Sequence, residues 1–150
     1  MLIGINPLLN ADVLHVLRAM GHGDDLIIAD TNFPADSVAR KTVYGRLLRI
    51  DAPAADVVKA ILSVMPIDTF TDDAATRLEV VDEPETILPV MEEVQGQVSR
   101  VGGPNPMLSM ERFCYQWKDF LFMIGLGKLM QSFKLVSEGF MGVLHFEKAY

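Results

Sequence analysis

The chain has 150 residues, of which half are hydrophobic and 22% are charged, with a net charge of −7 at pH 7. This composition is typical of a globular domain rather than a disordered chain. The acidic balance and the scattered Lys and Arg residues argue against a nucleic-acid partner, because phosphate binding needs clustered positive charge.

The compartment is also constrained by the sequence. The chain contains one cysteine, Cys114, which excludes an internal disulfide and suits a reducing compartment. Residues 1–7 lack the features of a signal peptide, and the longest apolar run, Phe120 to Leu126, is far shorter than the roughly 20 residues of a membrane-spanning helix. We therefore expect a cytoplasmic protein without a membrane partner.

The first third of the chain predicts a helix followed by a buried strand. Asn10 is a typical helix N-cap, and Gly21 is expected to end the helix in the left-handed conformation. The buried face of this helix is expected to consist of Val13, Leu14, Leu17 and Met20. Residues 26–29 are continuously apolar, as in a strand covered on both faces. Pro34 favours a loop after this strand, and residues 35–46 are expected to be irregular.

The middle of the chain continues the alternation of strands and helices. A strand is predicted over 47–50, then a helix that begins near Pro53 and ends at Pro66. Its buried face is expected to consist of Val57, Val58, Ile61, Leu62 and Met65. A third strand is predicted over 78–81, and a further helix opens at Pro84. Its apolar stripe is expected to be Ile87, Met91, Val94 and Val98.

The alternation predicts an α/β fold, with a single layered domain over 1–150 and a central β-sheet flanked by helices. Beyond Phe113 the local signals conflict with such a domain. Residues 114–130 are apolar without a helical or strand period, and only 133–136 and 143–146 are typical of strands.

Two motifs beside the first predicted strand carry a family resemblance. Residues 19–24 read Ala-Met-Gly-His-Gly-Asp, residues 29–34 read Ala-Asp-Thr-Asn-Phe-Pro, and Glu-Arg-Phe follows at 111–113. Together they resemble the D-ribose pyranase / L-fucose mutarotase family, on the L-fucose mutarotase side. The resemblance covers residues 1–113.

This resemblance implies a sugar mutarotase without a cofactor, assembled as a ring-shaped homo-oligomer, a decamer, with sites near subunit contacts. Opening a hemiacetal ring needs a base and an acid whose roles reverse on closure, and histidine can serve as both near neutral pH. The resemblance makes His22 the catalytic candidate. Asp30 is expected to orient His22 or to hold a sugar hydroxyl, and Arg112 to bind sugar hydroxyls.

Structural roles compete with each of these assignments. His22 could interact with the carbonyls at a helix end, Asp30 could cap its own turn, and Arg112 could be a surface residue. Asp24 is expected to close the Gly-His-Gly turn rather than to contact substrate. The three histidines of the chain lack paired spacing, so no metal site is predicted. A non-catalytic monosaccharide-binding or transport-accessory protein is the alternative function.

The family's C-terminal pattern is absent after Phe113 but can be recovered from another reading frame. Read from the third base of the Cys114 codon, residues 114–120 can encode Leu-Ser-Met-Glu-Arg-Phe, the sequence of residues 108–113. In the same frame, residues 140–142 can encode Tyr-Gly-Cys. We therefore expect a short tandem duplication in the gene that shifts the frame and replaces the family's acid/base tyrosine by Phe140 and Met141. A divergent C-terminus is the alternative.

Overall fold

The computed structural model describes residues 2–21, 24–67, 75–78, 80, 83, 85–102, 108–110, 120–126 and 143–147. Residue 78 and the last three of these ranges are described by their backbone alone. Within the described ranges the helices are α1 (Ala11–Ala19), α2 (Ala35–Ala39), α3 (Ala54–Leu62) and α4 (Pro89–Gly102). The strands are β1 (Asp25–Ala29), β2 (Leu48–Ile50), β3 (Ala75–Leu78), β4 (Leu108–Met110), β5 (Phe120–Leu126) and β6 (Val143–Glu147).

The strands form a mixed six-stranded sheet in the order β2-β5-β1-β6-β3-β4. Strands β2, β5 and β1 run parallel, β6 is antiparallel to both of its neighbours, and β3 pairs with β4 in parallel. The predicted α/β fold with a central sheet is confirmed. No helix in the described part of the chain is long and apolar enough to cross a membrane.

Alternate residues of β1 enter two different cores. Leu26 and Ile28 pack into the larger cluster, which includes side chains of α1, α3 and α4. Ile27 and Ala29 pack with Phe33 and with α2 into a smaller cluster. Because successive side chains of a strand project to opposite faces, the helices cover β1 from both sides. The prediction that this strand is covered on both faces is confirmed.

Helix α1 begins as predicted but ends differently. The Asn10 Oδ1 accepts a hydrogen bond of 3.0 Å from the Val13 backbone N–H, the usual N-cap contact. The helix ends at Ala19, and Met20 already has extended backbone at φ −58° and ψ 138°. The chain therefore leaves the helix through Met20 and needs no left-handed Gly21 to stop it.

A short helix replaces the irregular connection predicted over 35–46. In α2 the Val38 N–H donates to the Pro34 carbonyl at 3.1 Å, and Ala35, Val38 and Ala39 are buried. Proline suits the start of a helix because its missing N–H would have no partner there. Five residues are too few for a helical period to be read from the sequence.

The middle of the chain agrees with the prediction except at the boundaries. All five residues predicted for the buried face of α3 are buried. Strand β3 lies three residues before the predicted strand over 78–81. Helix α4 begins at Pro89 rather than at Pro84, which leaves Ile87 outside the helix and 54% exposed. The remaining predicted stripe residues Met91, Val94 and Val98 are buried.

The C-terminal region contains two strands that the sequence does not predict, β4 and β5. Strand β5 pairs with β1 on one side and β2 on the other. A parallel strand inside a sheet is covered on both faces, so its sequence is a continuous apolar run without alternation. Strand β6 confirms the strand predicted over 143–146, whereas the one predicted over 133–136 lies outside the described residues.

Candidate functional site

The carboxyl ends of β2, β5 and β1 meet at one edge of the sheet, because the three strands are parallel. A cleft of about 640 Å³ lies at this edge. It is lined by the segment after β1, at residues 30–31 and 33–37, and by residues 47 and 49–51 around the end of β2. The volume is in the range of small-molecule sites, and open α/β sheets bind ligands at this edge.

Asp30 is the buried charged residue of the cleft. It directly follows β1, is 7% exposed, and lines the cleft. Its Oδ1 accepts hydrogen bonds from the backbone N–H groups of Asn32 at 2.9 Å and Phe33 at 3.0 Å. The competing interpretation, that Asp30 caps its own turn, therefore accounts for Oδ1 but not for Oδ2.

The second oxygen of Asp30 has a different environment. Within the described part of the chain, Oδ2 is buried and has no hydrogen-bond partner. A buried carboxylate oxygen without a donor is costly, by about 1–3 kcal/mol or more for a charged group. A hydroxyl group of a bound molecule would remove this cost, because it can donate to Oδ2.

A second turn lies at the opposite end of β1. The Gly21 N–H donates to Asp24 Oδ2 at 2.6 Å, and the Asp24 N–H donates to the Gly21 carbonyl at 3.3 Å. The prediction that Asp24 closes this turn is confirmed. His22, the catalytic candidate, lies between these two residues in sequence and is outside the described residues.

The strand separates the two turns. From Asp24 to Asp30 the chain runs through the five residues of β1, which at about 3.3 Å per residue places the two aspartates about 20 Å apart. Asp30 and the turn closed by Asp24 therefore lie at opposite edges of the sheet.

The other predicted site residues fall outside the described ranges, and one cleft residue is new. Arg112, Phe140 and Met141 are among the residues not described. Arg49 lines the cleft but was not predicted from the sequence. Its signal is a single polar residue between the buried Leu48 and Ile50, near the carboxyl end of a strand.

The fold and the cleft define an α/β protein with a cleft of small-molecule size at the carboxyl ends of parallel strands. More particularly, the chain belongs to the RbsD / FucU transport protein family, whose model matches residues 3–124. The predicted family resemblance is confirmed by this match.

Curated relatives lie on the fucose side of the family, as predicted. The fucose mutarotase of Danio rerio is 34% identical over 118 residues, which cover 75% of this chain and 74% of that protein. The L-fucose mutarotase of Histophilus somni (strain 2336) is 31% identical over 117 residues, which cover 77% of this chain and 78% of that protein.

The fold is also similar to that of solved structures. The crystal structure of protein Atu2016, a suggested sugar-binding protein, superimposes with a TM-score of 0.86 and 44% sequence identity. The superposition covers 100% of this chain and 96% of the Atu2016 chain.

Proposed function

We propose that this protein is a monosaccharide mutarotase that acts in the cytoplasm on L-fucose or a related sugar, without a cofactor. The observation that carries the proposal is Asp30, which lines a cleft of small-molecule size and whose buried Oδ2 has no hydrogen-bond partner among the described residues. The relatives named fucose mutarotases support the choice of reaction and sugar.

The proposed reaction opens and recloses the sugar ring. A base removes the proton of the anomeric hydroxyl, the bond between the anomeric carbon and the ring oxygen breaks, and an acid protonates that oxygen. The open-chain aldehyde rotates before the steps reverse, so no atom is gained or lost. In this proposal His22 transfers protons, Asp30 accepts a hydrogen bond from a sugar hydroxyl through Oδ2, and Arg112 donates to other hydroxyls.

We propose further that the protein works as a homo-oligomer, a decamer by family resemblance. The separation of about 20 Å between the ends of β1 supports this, because one chain cannot bring Asp30 to the turn closed by Asp24. A site that uses both His22 and Asp30 then takes one residue from each of two neighbouring copies. Closed symmetric assemblies repeat such an interface at every subunit contact.

We also propose that 1–150 is a single mutarotase-like domain in which the residues after Phe113 come from a shifted reading frame, and that its activity is impaired as a result. The expected acid/base tyrosine is replaced by Phe140 and Met141, and neither side chain can transfer a proton. Sequencing the gene tests the idea: without a direct repeat spanning the codons of residues 108–113, the frame-shift proposal is wrong.

Saturation-exchange NMR on L-fucose and D-ribose tests the function. The 150-residue chain is compared with a frame-restored chain, made by deleting the proposed repeat, and the chain with the higher exchange rate serves as the parent. We expect little exchange by the 150-residue chain and clear acceleration by the frame-restored chain. The His22→Ala variant of the parent should lose about 100-fold or more, as loss of a general acid/base does.

His15→Ala is the matched control, because His15 is exposed on α1 and away from the cleft. Sugar binding without accelerated exchange in either chain favours the alternative, a non-catalytic binding or transport-accessory protein. Equal exchange by the parent and by His22→Ala contradicts the proposed role of His22.

A further inference from the structure

Arg49, in β2, and Asp30, directly after β1, both line the cleft, and the pairing of three strands relates their positions. Gly125 of β5 pairs with Ala29 of β1 on one side and with Arg49 of β2 on the other. Directly paired residues project from the same face of a sheet, and neighbouring strands lie about 4.8 Å apart. Arg49 and Ala29 therefore share a face, with their Cα atoms about 10 Å apart.

The residue that lies between Ala29 and Arg49 in the sheet is Gly125. Gly125 adds no side chain to the row, so the surface between Ala29 and Arg49 has no Cβ at its centre. The residues next to Arg49, Leu48 and Ile50, are buried in the core on the other face, which agrees with this assignment of faces.

The backbone of Arg49 is held while its guanidinium is available. The Asn10 side chain donates from Nδ2 to the Arg49 carbonyl at 3.0 Å, in addition to capping α1. Within the described part of the chain, no hydrogen bond or ion pair engages the Arg49 guanidinium. By contrast, the Asp36 carboxylate in the same cleft is paired with Arg40 at 2.9 Å.

We propose that Arg49 determines sugar specificity by donating hydrogen bonds to the hydroxyls at the end of the monosaccharide that lies away from Asp30. This inference rests on the proposed function. Asp30 Oδ2 can only accept a hydrogen bond when ionised, and a guanidinium can only donate. Sugar hydroxyls both donate and accept, so Asp30 and Arg49 can bind different hydroxyls of one sugar ring.

The chemistry of arginine limits its role to binding. Its guanidinium stays protonated in proteins and cannot exchange a proton with the substrate. Its hydrogen bonds are therefore made alike to the closed ring and to the transition state, and their loss raises KM with little effect on kcat. This separates Arg49 from a residue that acts on the reacting atoms.

The test measures the Kd of L-fucose and of its monodeoxy analogues, by calorimetry on the 150-residue chain. Arg49→Leu should weaken L-fucose binding by about 10- to 100-fold, the usual effect of losing a hydrogen bond from a charged group. Arg49→Lys, which keeps the charge but loses the planar fork, should give a smaller loss. Arg100→Leu is the matched control, since Arg100 is exposed on α4 and contacts Gln97.

The deoxy analogues separate direct contact from a structural effect. One analogue should bind the parent weakly and lose nothing further in Arg49→Leu, because the hydroxyl that Arg49 contacts is already missing. A uniform loss over all analogues, or a loss equal to that of Arg100→Leu, overturns the proposal.

The outcome also distinguishes this proposal from the proposed function. If Asp30→Asn weakens binding and Arg49→Leu does not, the cleft is the sugar site and the role of Arg49 is wrong. If the 150-residue chain does not bind L-fucose, the Arg49 proposal is overturned, while the exchange assay on the frame-restored chain still decides the proposed function.

Discussion

At each end of β1 an aspartate accepts hydrogen bonds from the backbone, but the two aspartates differ in their burial and in their position relative to the cleft. At the amino end, the half-buried Asp24 accepts the Gly21 N–H and closes a turn. At the carboxyl end, the buried Asp30 accepts two backbone N–H groups through Oδ1, and its Oδ2 has no partner within the ranges that the structure describes. Both aspartates shape the backbone, and Asp30 is in addition a buried residue that lines the cleft.

This difference separates local structure from function. An aspartate that caps its own turn is common and has no need of a ligand. A buried carboxylate oxygen without a donor is rare in native proteins, and such groups often mark functional sites. Asp30 is buried because it directly follows β1, which is central in the sheet. Asp24 precedes the same strand and is half-buried.

The largest expected effect is on the exchange rate, and it tests whether the two ends of β1 from neighbouring copies form one site. In the parent of the exchange assay, His22→Ala should lose about 100-fold or more of the exchange rate, as loss of a general acid/base does. Asp30→Asn should lose about 10- to 100-fold, the usual effect of losing a hydrogen bond to a charged group. Unfolding and refolding the two variants together should restore about a quarter of the parent rate, since random pairing leaves that share of sites intact. Saturation-exchange NMR on L-fucose measures it.

Each variant refolded alone is the control for this experiment. If the mixture stays as inactive as the separate variants while all of them assemble, the two residues do not meet across a subunit contact.

The second effect concerns the stability of the turn after β1. Asp30→Ala removes the acceptor of two backbone N–H groups, one of them buried, which costs about 2–3 kcal/mol. It also removes the buried Oδ2, which offsets part of this cost, and the free energy of unfolding should still fall. Asp30→Asn retains an oxygen for these donors and should cost less. Urea denaturation compares the two variants, and equal losses would show that the turn does not depend on Oδ1.

The third effect is at the start of α1 and at β2. Asn10→Ala removes the N-cap bond to Val13 and the bond to the Arg49 carbonyl. We expect a loss of about 1–2 kcal/mol in the free energy of unfolding. Asn10→Asp keeps the cap but not the donor, so it should recover most of this loss in stability while L-fucose binding stays weaker than in the parent.

A fourth, smaller effect is expected at Asp24. Asp24→Ala leaves the half-buried Gly21 N–H without its side-chain acceptor, and water can replace part of that contact. The expected loss is about 1 kcal/mol by urea denaturation, below that of Asp30→Ala. A loss larger than that of Asp30→Ala would reverse the ranking of the two ends of β1.

The smallest effect is expected at the ion pair on α2. Arg40 and Asp36 are 71% and 62% exposed and pair at 2.9 Å one helical turn apart. Exposed pairs of this kind contribute about 0.3–0.5 kcal/mol. Arg40→Ala should therefore change the unfolding midpoint little, and a loss comparable to that of Asp30→Ala would mean that α2 depends on this pair.

The elements that the sequence predicts well are those with a local signal. The Asn10 cap, the buried stripe of α3 and the continuous apolar run of β1 all depend on spacing and side-chain chemistry within a few residues. For the same reason Asp30 could be predicted at the end of a strand. Strand β5 could not, because a fully covered strand has no alternation by which to distinguish it from other apolar runs.

The position of Arg49 in the cleft could not be predicted from the neighbouring sequence. Arg49 lies on the same face of the sheet as Ala29, next to Asp30 in the chain, because β5 lies between β1 and β2 and aligns Gly125 with both Ala29 and Arg49. Residues 29, 49 and 125 are far apart in the chain, and nothing near any of them specifies that register. Local patterns therefore determine the turns and the carboxylate at the ends of β1. The cleft is decided by pairing between distant strands, which depends on how the whole sheet assembles.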